Sequence, residues 1–191
     1  MNKTAAIRAV IEATTDEPIV FTTGYACRIA QAVLDRPNHL YMTGSMGLAS
    51  SIGIGIAQQT GRPTVVVDGD GSVLMNPVGL LTAGAMAPLP LLHVLLDDGR
   101  YASTGGQHVP CTGTDFALLA RSCGYARVER IERTTQLAAT LRAVAATCTA
   151  PTFLHCVLAG EDPAPIPPRV DGDLADHAAR FASALRKPVP C

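Results

Sequence analysis

Tryptophan is absent, and aromatic residues make up only 4% of the 191-residue chain. A surface that stacks nucleobases needs aromatic rings, so single-stranded nucleic acid is a poor partner. Charge is scarce as well. Lys+Arg is 15 against Asp+Glu 16, a formal net charge of −1, and Lys occurs only at Lys3 and Lys187. No global basic field exists to attract nucleic acid. The six cysteines, at 27, 111, 123, 148, 156 and 191, form no CxxC pair and are too sparse for a disulfide scaffold. They read as mostly buried thiols in a reducing compartment, the cytoplasm.

Long apolar runs are missing too. Arg8 and Glu12 interrupt the first apolar stretch, so it is not the h-region of a signal peptide. The uncharged stretch from Leu40 to Gly61 contains five glycines, and that from Ser72 to Leu96 contains Pro77, Pro88 and Pro90. Neither reads as a membrane-spanning helix, and no membrane partner is expected.

What is present is a core. Hydrophobic residues reach 48% and charged ones only 16%, which excludes disorder and fits one domain. The order of elements is regular. Helical spacing over 4–15 precedes a short strand over 18–22, a helix from Gly24 to Leu34 and a strand over 39–43. A small-residue helix over 47–59, a β run over 64–68 and a helix over about 72–86 follow. Strand 91–97 leads into a Gly-rich loop over 99–113. Helix, strand, helix and strand then occupy 115–123, 127–131, 135–147 and 152–158. This alternation predicts an α/β fold, with a single doubly wound, mostly parallel sheet and helices on both faces. Residues 1–160 form the domain. Residues 161–191 form a Pro-rich tail with a terminal helix over Asp173–Leu185, fraying from Pro188.

In such sheets ligands bind beyond the carboxyl ends of the strands. Four predicted strands end in polar or Gly-rich turns there: Thr22-Thr-Gly24, Thr43-Gly-Ser-Met-Gly47, Asp68-Gly-Asp-Gly-Ser72 and Asp97-Asp-Gly99. Two carboxylates, Asp70 and Asp98, with free amides at helix starts describe a site for a hard metal and a phosphorylated ligand. The usual nucleotide fingerprints fail: no GxGxxG is complete, and GxxxxGK[ST] and GxSxG are absent. His93 and His155 lie in apolar strands and read as packed or hydrogen-bonded rather than metal ligands. His155 and Cys156 face opposite ways and make no dyad.

The turn Gly69-Asp-Gly-Ser72, closed by Leu91-Leu-His-Val-Leu-Leu-Asp-Asp98, resembles the cofactor motif of thiamine diphosphate-dependent enzymes. Thr22-Thr-Gly-Tyr25 with Arg28, Gly44-Ser-Met-Gly47, Ser103-Thr-Gly-Gly-Gln107 and Asp115-Phe-Ala resemble segments of one branch of that family. The branch holds phosphonopyruvate decarboxylase and the β subunit of sulfopyruvate decarboxylase. The resemblance runs from about residue 18 to about 158. It implies that residues 1–160 are the diphosphate-binding domain, with thiamine diphosphate and Mg²⁺ as cofactors.

On that resemblance Mg²⁺ takes oxygens from Asp70, from the side chain of residue 98 and from the Arg100 carbonyl. The Gly71 and Ser72 amides, with the Ser72 hydroxyl, cradle the diphosphate. Gly24, Tyr25, Ser45 and Gly69 complete the cofactor-binding set. The Gly44 carbonyl accepts from the aminopyrimidine, and Met46 props the cofactor in its bent shape; without its flanking glycines Met46 would read as core filler. Ser103, Thr104 and Gln107 are candidates for contact with the substrate, on a loop whose plain reading is a solvated connector. Arg28 binds an anionic group or faces solvent. One departure stands out: the family usually has Asn where this chain has Asp98.

The resemblance also shows what is missing. In this family a Glu on a separate pyrimidine-binding domain activates the cofactor, and Glu12, Glu17, Glu129, Glu132 and Glu161 lie in no matching context. The implied protein is the β-type half of a split decarboxylase, active only with a pyrimidine-binding partner subunit, as a heterotetramer. Its substrate is an anionic 2-oxo acid, 3-phosphonopyruvate or 3-sulfopyruvate, converted to the aldehyde and CO₂. Carboligation through the same chemistry, and a non-catalytic assembly subunit, are the alternatives.

Overall fold

The computed structural model describes residues 1–110, 113–145 and 147–186. Six parallel strands form one sheet in the order β2-β1-β3-β4-β8-β7. They are β1 (Ile19–Phe21), β2 (His39–Tyr41), β3 (Thr64–Gly69), β4 (Leu91–Asp97), β7 (Arg127–Ile131) and β8 (Thr152–Val157). A second, antiparallel ribbon pairs β5 (Arg100–Tyr101) with β6 (Gln107–His108). The expected doubly wound α/β sheet is the fold found, and its main sheet is wholly parallel.

Side chains of each central strand alternate between two apolar layers. On one face Phe21, Val65, Val67, Val94 and Leu154 pack with α1 (Lys3–Ala13), α2 (Tyr25–Val33) and α7 (Thr134–Ala145). On the other, Val20, Val66, Leu91, Leu95 and Phe153 pack under α3 (Ala49–Thr60), α5 (Val78–Ala85) and α6 (Phe116–Ser122). Burial on both faces explains why the strands read as continuous apolar runs. In α3 a Cβ at Gly53 would overlap the Val66 side chain, so glycine is what lets that helix lie close on β3.

Two expectations are corrected. The helix expected over about 72–86 is two, α4 (Asp70–Met75) and α5, separated at Asn76-Pro77. Pro77 lacks an amide donor and disfavours helical backbone before it, and Asn76 adopts φ −147° and ψ 70°. The loop over 99–113 contains the β5–β6 hairpin, closed by N–H groups of Thr104, Gly105 and Gly106 on the Tyr101 carbonyl.

The tail from Glu161 is irregular to Gly172 and then forms α8 (Leu174–Leu185), capped by the Asp173 carboxylate on the amides of Ala175 and Asp176. The fraying expected from Pro188 lies outside the described residues. Cys27, Cys123, Cys148 and Cys156 are free thiols, and burial pushes the Cys27 and Cys148 thiols up. Cys111 and Cys191 lie outside the described residues. No helix among the described residues is long and apolar enough to cross a membrane.

Candidate functional site

The chain runs from β1 outward to β2 and then returns to place β3 on the other side of β1. That reversal opens a crevice beyond the carboxyl ends of β1 and β3, where open α/β sheets bind ligands. Ser72, in the first turn of α4, knits the crevice together. Its hydroxyl lies 3.1 Å from Thr22 Oγ1 and accepts from the Gly47 amide at 3.1 Å. The Asn76 side-chain amide, which the sequence reading passed over, donates to the Gly47 carbonyl at 3.0 Å. The turns after β1, β2 and β3 are thereby tied to one another. Buried and so engaged, the Ser72 hydroxyl is a structural bridge, and its backbone N–H is what remains for a ligand.

Three carboxylates crowd this end of the sheet, and each has a different partner. Asp97 Oδ2 lies 2.7 Å from His155 Nε2. Asp98 Oδ2 lies 2.7 Å from Lys3 Nζ, reaching in from α1. Asp70, 2% exposed, accepts from the Gly99 amide at 2.8 Å. No cation side chain pairs with Asp70 among the described residues. Burial first, then the charges of Asp98 and Asp97, push its carboxyl up from 3.8 to about 6, against the pull of the Gly71 and Gly99 amides. A buried carboxylate without a counter-ion calls for an external cation. The nearby donors are hard oxygens, which suit Mg²⁺.

Asp70, Asp98 and Lys3 line a cavity of about 60 Å³, whereas Asp97 does not. Of the residues singled out from sequence, Tyr25, Met46, Gly69, Asp70, Gly71, Ser72, Asp98, Arg100, Ser103 and Thr104 line it. Gly24 lines a neighbouring cavity with Ser103. Gly44, Ser45 and Gln107 line neither and are exposed; Gln107 instead accepts from the Thr104 hydroxyl at 3.1 Å. Sequence reading missed Lys3 and Tyr101. The Tyr101 ring lies flush on Gly71, where any Cβ would overlap it. Lys3 carried a faint signal, as one of only two lysines.

Asp68, which also lines the cavity, and His93 behind it are fully buried. His93 Nδ1 is 2.9 Å from the Tyr125 hydroxyl, and its Nε2 is 3.6 Å from Asp68 Oδ2. His93 and His155 are thus hydrogen-bonded within the core, as their apolar strands suggested. His155 points to Asp97, while Cys156 packs in the opposite apolar layer.

The family model for the thiamine pyrophosphate enzyme, C-terminal TPP binding domain, matches residues 22–156. The chain belongs to this family. The matched span holds all three carboxylates but excludes Lys3. Phosphonopyruvate decarboxylase of Streptomyces viridochromogenes is 42% identical over 151 residues, 79% of this chain and 38% of that protein. Sulfopyruvate decarboxylase subunit beta of Methanothermobacter thermautotrophicus is 42% identical over 125 residues, 65% of this chain and 68% of that subunit. The chain therefore spans little more than a third of the first relative and about two thirds of the second. The crystal structure of benzoylformate decarboxylase from Polynucleobacter necessarius shares the fold, with a TM-score of 0.67 at 17% identity over 81% of this chain and 32% of that one.

Proposed function

We propose that this chain is the diphosphate-binding, β-type half of a thiamine diphosphate-dependent decarboxylase acting on 3-phosphonopyruvate or 3-sulfopyruvate. The observation that carries the reading is Asp70: a buried carboxylate with no cation side chain paired to it, at the switch point of the sheet, within the family's GDG turn. Its fit to the cofactor rests on the donor set around it.

Asp70 and Asp98 offer side-chain oxygens, and Arg100 its carbonyl, to Mg²⁺. Gly71 and Ser72 offer backbone N–H groups to the diphosphate. Tyr25, Met46 and Gly69 line the cavity and would pack against the cofactor, and the turns that carry Gly24, Gly44 and Ser45 would meet it from outside the cavity. Ser103, Thr104 and Gln107 lie on the hairpin segment that closes over bound substrate, where hydroxyl and amide groups hold a carboxylate in place. Bound thiamine diphosphate supplies the electron sink that lets a 2-oxo acid lose CO₂; positioning is the protein's share.

No Glu lines either cavity among the described residues. The carboxylate that activates the cofactor then comes from a pyrimidine-binding partner subunit, in a heterotetramer. The name of the Methanothermobacter relative, a subunit beta, supports a split enzyme. Residues 1–160 are the cofactor-binding unit, and 161–191 a tail added to it. The free thiols suit the cytoplasm.

The test is CO₂ release from each acid with Mg²⁺ and thiamine diphosphate, for this chain alone and with the subunit that co-purifies with it. Activity confined to the complex is expected. Full activity of the chain alone would overturn the split reading, and no activity on either acid in the complex would overturn the substrate.

A further inference from the structure

A second cavity, of about 470 Å³, lies beside the cofactor site, roofed by the tail. The tail crosses the first two helices and is fastened at several points. Asp162 accepts from the Thr4 amide at 2.7 Å, and Glu161 O from the Asn2 side chain at 3.1 Å. Gln31 and the Asp171 backbone exchange two hydrogen bonds, at 3.1 and 3.2 Å. Beyond it, Arg180 of α8 forms a bidentate pair with Asp35 at 2.6 and 2.7 Å. The roof is therefore a built wall of the cavity.

The lining is one-sided in charge. Arg28 and Arg169 contribute cations, Thr23, Thr43 and Ser103 contribute hydroxyls, and no carboxylate side chain lines it among the described residues. Arg28 is fixed in place. Its Nε donates to the carbonyls of Pro167 and Pro168 at 2.7 and 3.1 Å, and its guanidinium lies 5.0 Å from the centre of the Tyr25 ring. No hydrogen bond or ion pair engages the Arg28 Nη groups or the Arg169 guanidinium among the described residues. Thr23 and Ser103 line both cavities, so the two spaces adjoin.

We infer that this cavity binds the tetrahedral oxyanion of the substrate, phosphonate or sulfonate, with Arg28 and Arg169 as its cationic ligands. The inference rests on the proposed function and adds the residues that select an acid bearing a second strong anion. Guanidinium groups recognise such oxyanions through charge-assisted, often bidentate hydrogen bonds. Arg28 is preorganised by the tail carbonyls, and Arg169 is carried by the tail itself. The tail, which lies outside the matched family span, thereby becomes a specificity element.

Arg169→Gln is the primary variant, because Arg169 is exposed and its loss leaves the fastening bonds of the tail in place. Phosphonoacetate and sulfoacetate, which lack the reactive ketone, are titrated calorimetrically into the complex of this chain with its co-purifying subunit. The titrations are run with and without Mg²⁺ and thiamine diphosphate. At least a tenfold loss of affinity is expected for whichever anion the wild type prefers, with partial recovery in Arg169→Lys. In turnover, Arg169→Gln raises KM for the anionic acid more than it lowers kcat. Arg28→Lys, which keeps charge but not the planar fork, is expected to weaken the anion while the melting temperature reports the tail.

Tighter phosphonoacetate identifies the phosphonate, tighter sulfoacetate the sulfonate, and either, when weakened in Arg169→Gln, supports the site. Equal binding by wild type and Arg169→Gln, or no binding of either anion by the wild type, overturns it. A complex that binds no cofactor would sink the functional reading alone, because Arg169-dependent anion binding would still stand.

Discussion

Lys3 and Asp98 allow the charge balance of the cofactor site to be tested by arithmetic. The pair is 2.7 Å long, with side chains 12% and 23% exposed. An exposed ion pair contributes less than about 1 kcal/mol, whereas a hydrogen bond to a charged group out of solvent contributes about 1.5–3 kcal/mol. This pair belongs nearer the second class. Lys3→Met leaves Asp98 uncompensated beside Asp70, and an incoming diphosphate then meets one more negative charge. We expect the affinity for thiamine diphosphate at saturating Mg²⁺ to fall about tenfold, equivalent to about 1.4 kcal/mol. Affinity for Mg²⁺ alone should rise, because the freed carboxylate attracts it. Asp98→Asn reverses the sign and retains or improves diphosphate binding. The double variant Lys3→Met/Asp98→Asn restores the local formal charge, and with it binding to within about threefold of wild type. Calorimetric titration of the four proteins, each in complex with its partner subunit, completes the cycle. Wild-type affinity in Lys3→Met, or no recovery in the double variant, would refute the reasoning.

Gly71→Ala forces the Tyr101 ring off α4; chemical denaturation should show a loss of about 1–3 kcal/mol, partly relieved by Tyr101→Ala. Gly53→Ala meets the Val66 side chain in the packed α3–β3 contact and should destabilise by a similar amount, read from the denaturation midpoint. Asp70 binds its proton more tightly folded than unfolded, so its contribution to stability is full below pH 3.8 and is lost as pH rises toward about 6. Without Mg²⁺, Asp70→Asn should therefore be more stable than wild type at pH 7.5, by on the order of 2–3 kcal/mol. The two should converge near pH 4 in melting curves, and a wild type that melts higher at pH 7.5 would contradict the burial argument.

The sheet was legible because its strands are buried on both faces, so Val65–Val67 and Leu91–Leu96 read as apolar runs without a tertiary partner in view. The site's skeleton was legible for a related reason: a doubly wound sheet brings its strand-end turns together, and Asp70 and Asp98 follow from that. What escaped was non-local. Lys3 meets Asp98 across 95 positions, and Arg28 meets Pro167 across 139. No pattern within a window encodes such pairs. The split at Asn76-Pro77 was encoded locally, but helical spacing on either side of the proline hid it. Gln107 reads as a site residue because it closes a motif, and the hairpin contact of its side-chain oxygen with Thr104 is the part that no motif encodes.

The most direct test of the central claim is a titration of thiamine diphosphate into the subunit complex, with Mg²⁺ or with chelator, for wild type and Asp70→Ala. Saturable binding that needs Mg²⁺ and is lost in Asp70→Ala is the expected result. Binding that ignores chelator, or survives in Asp70→Ala, would mean that the buried carboxylate is not the anchor of the site.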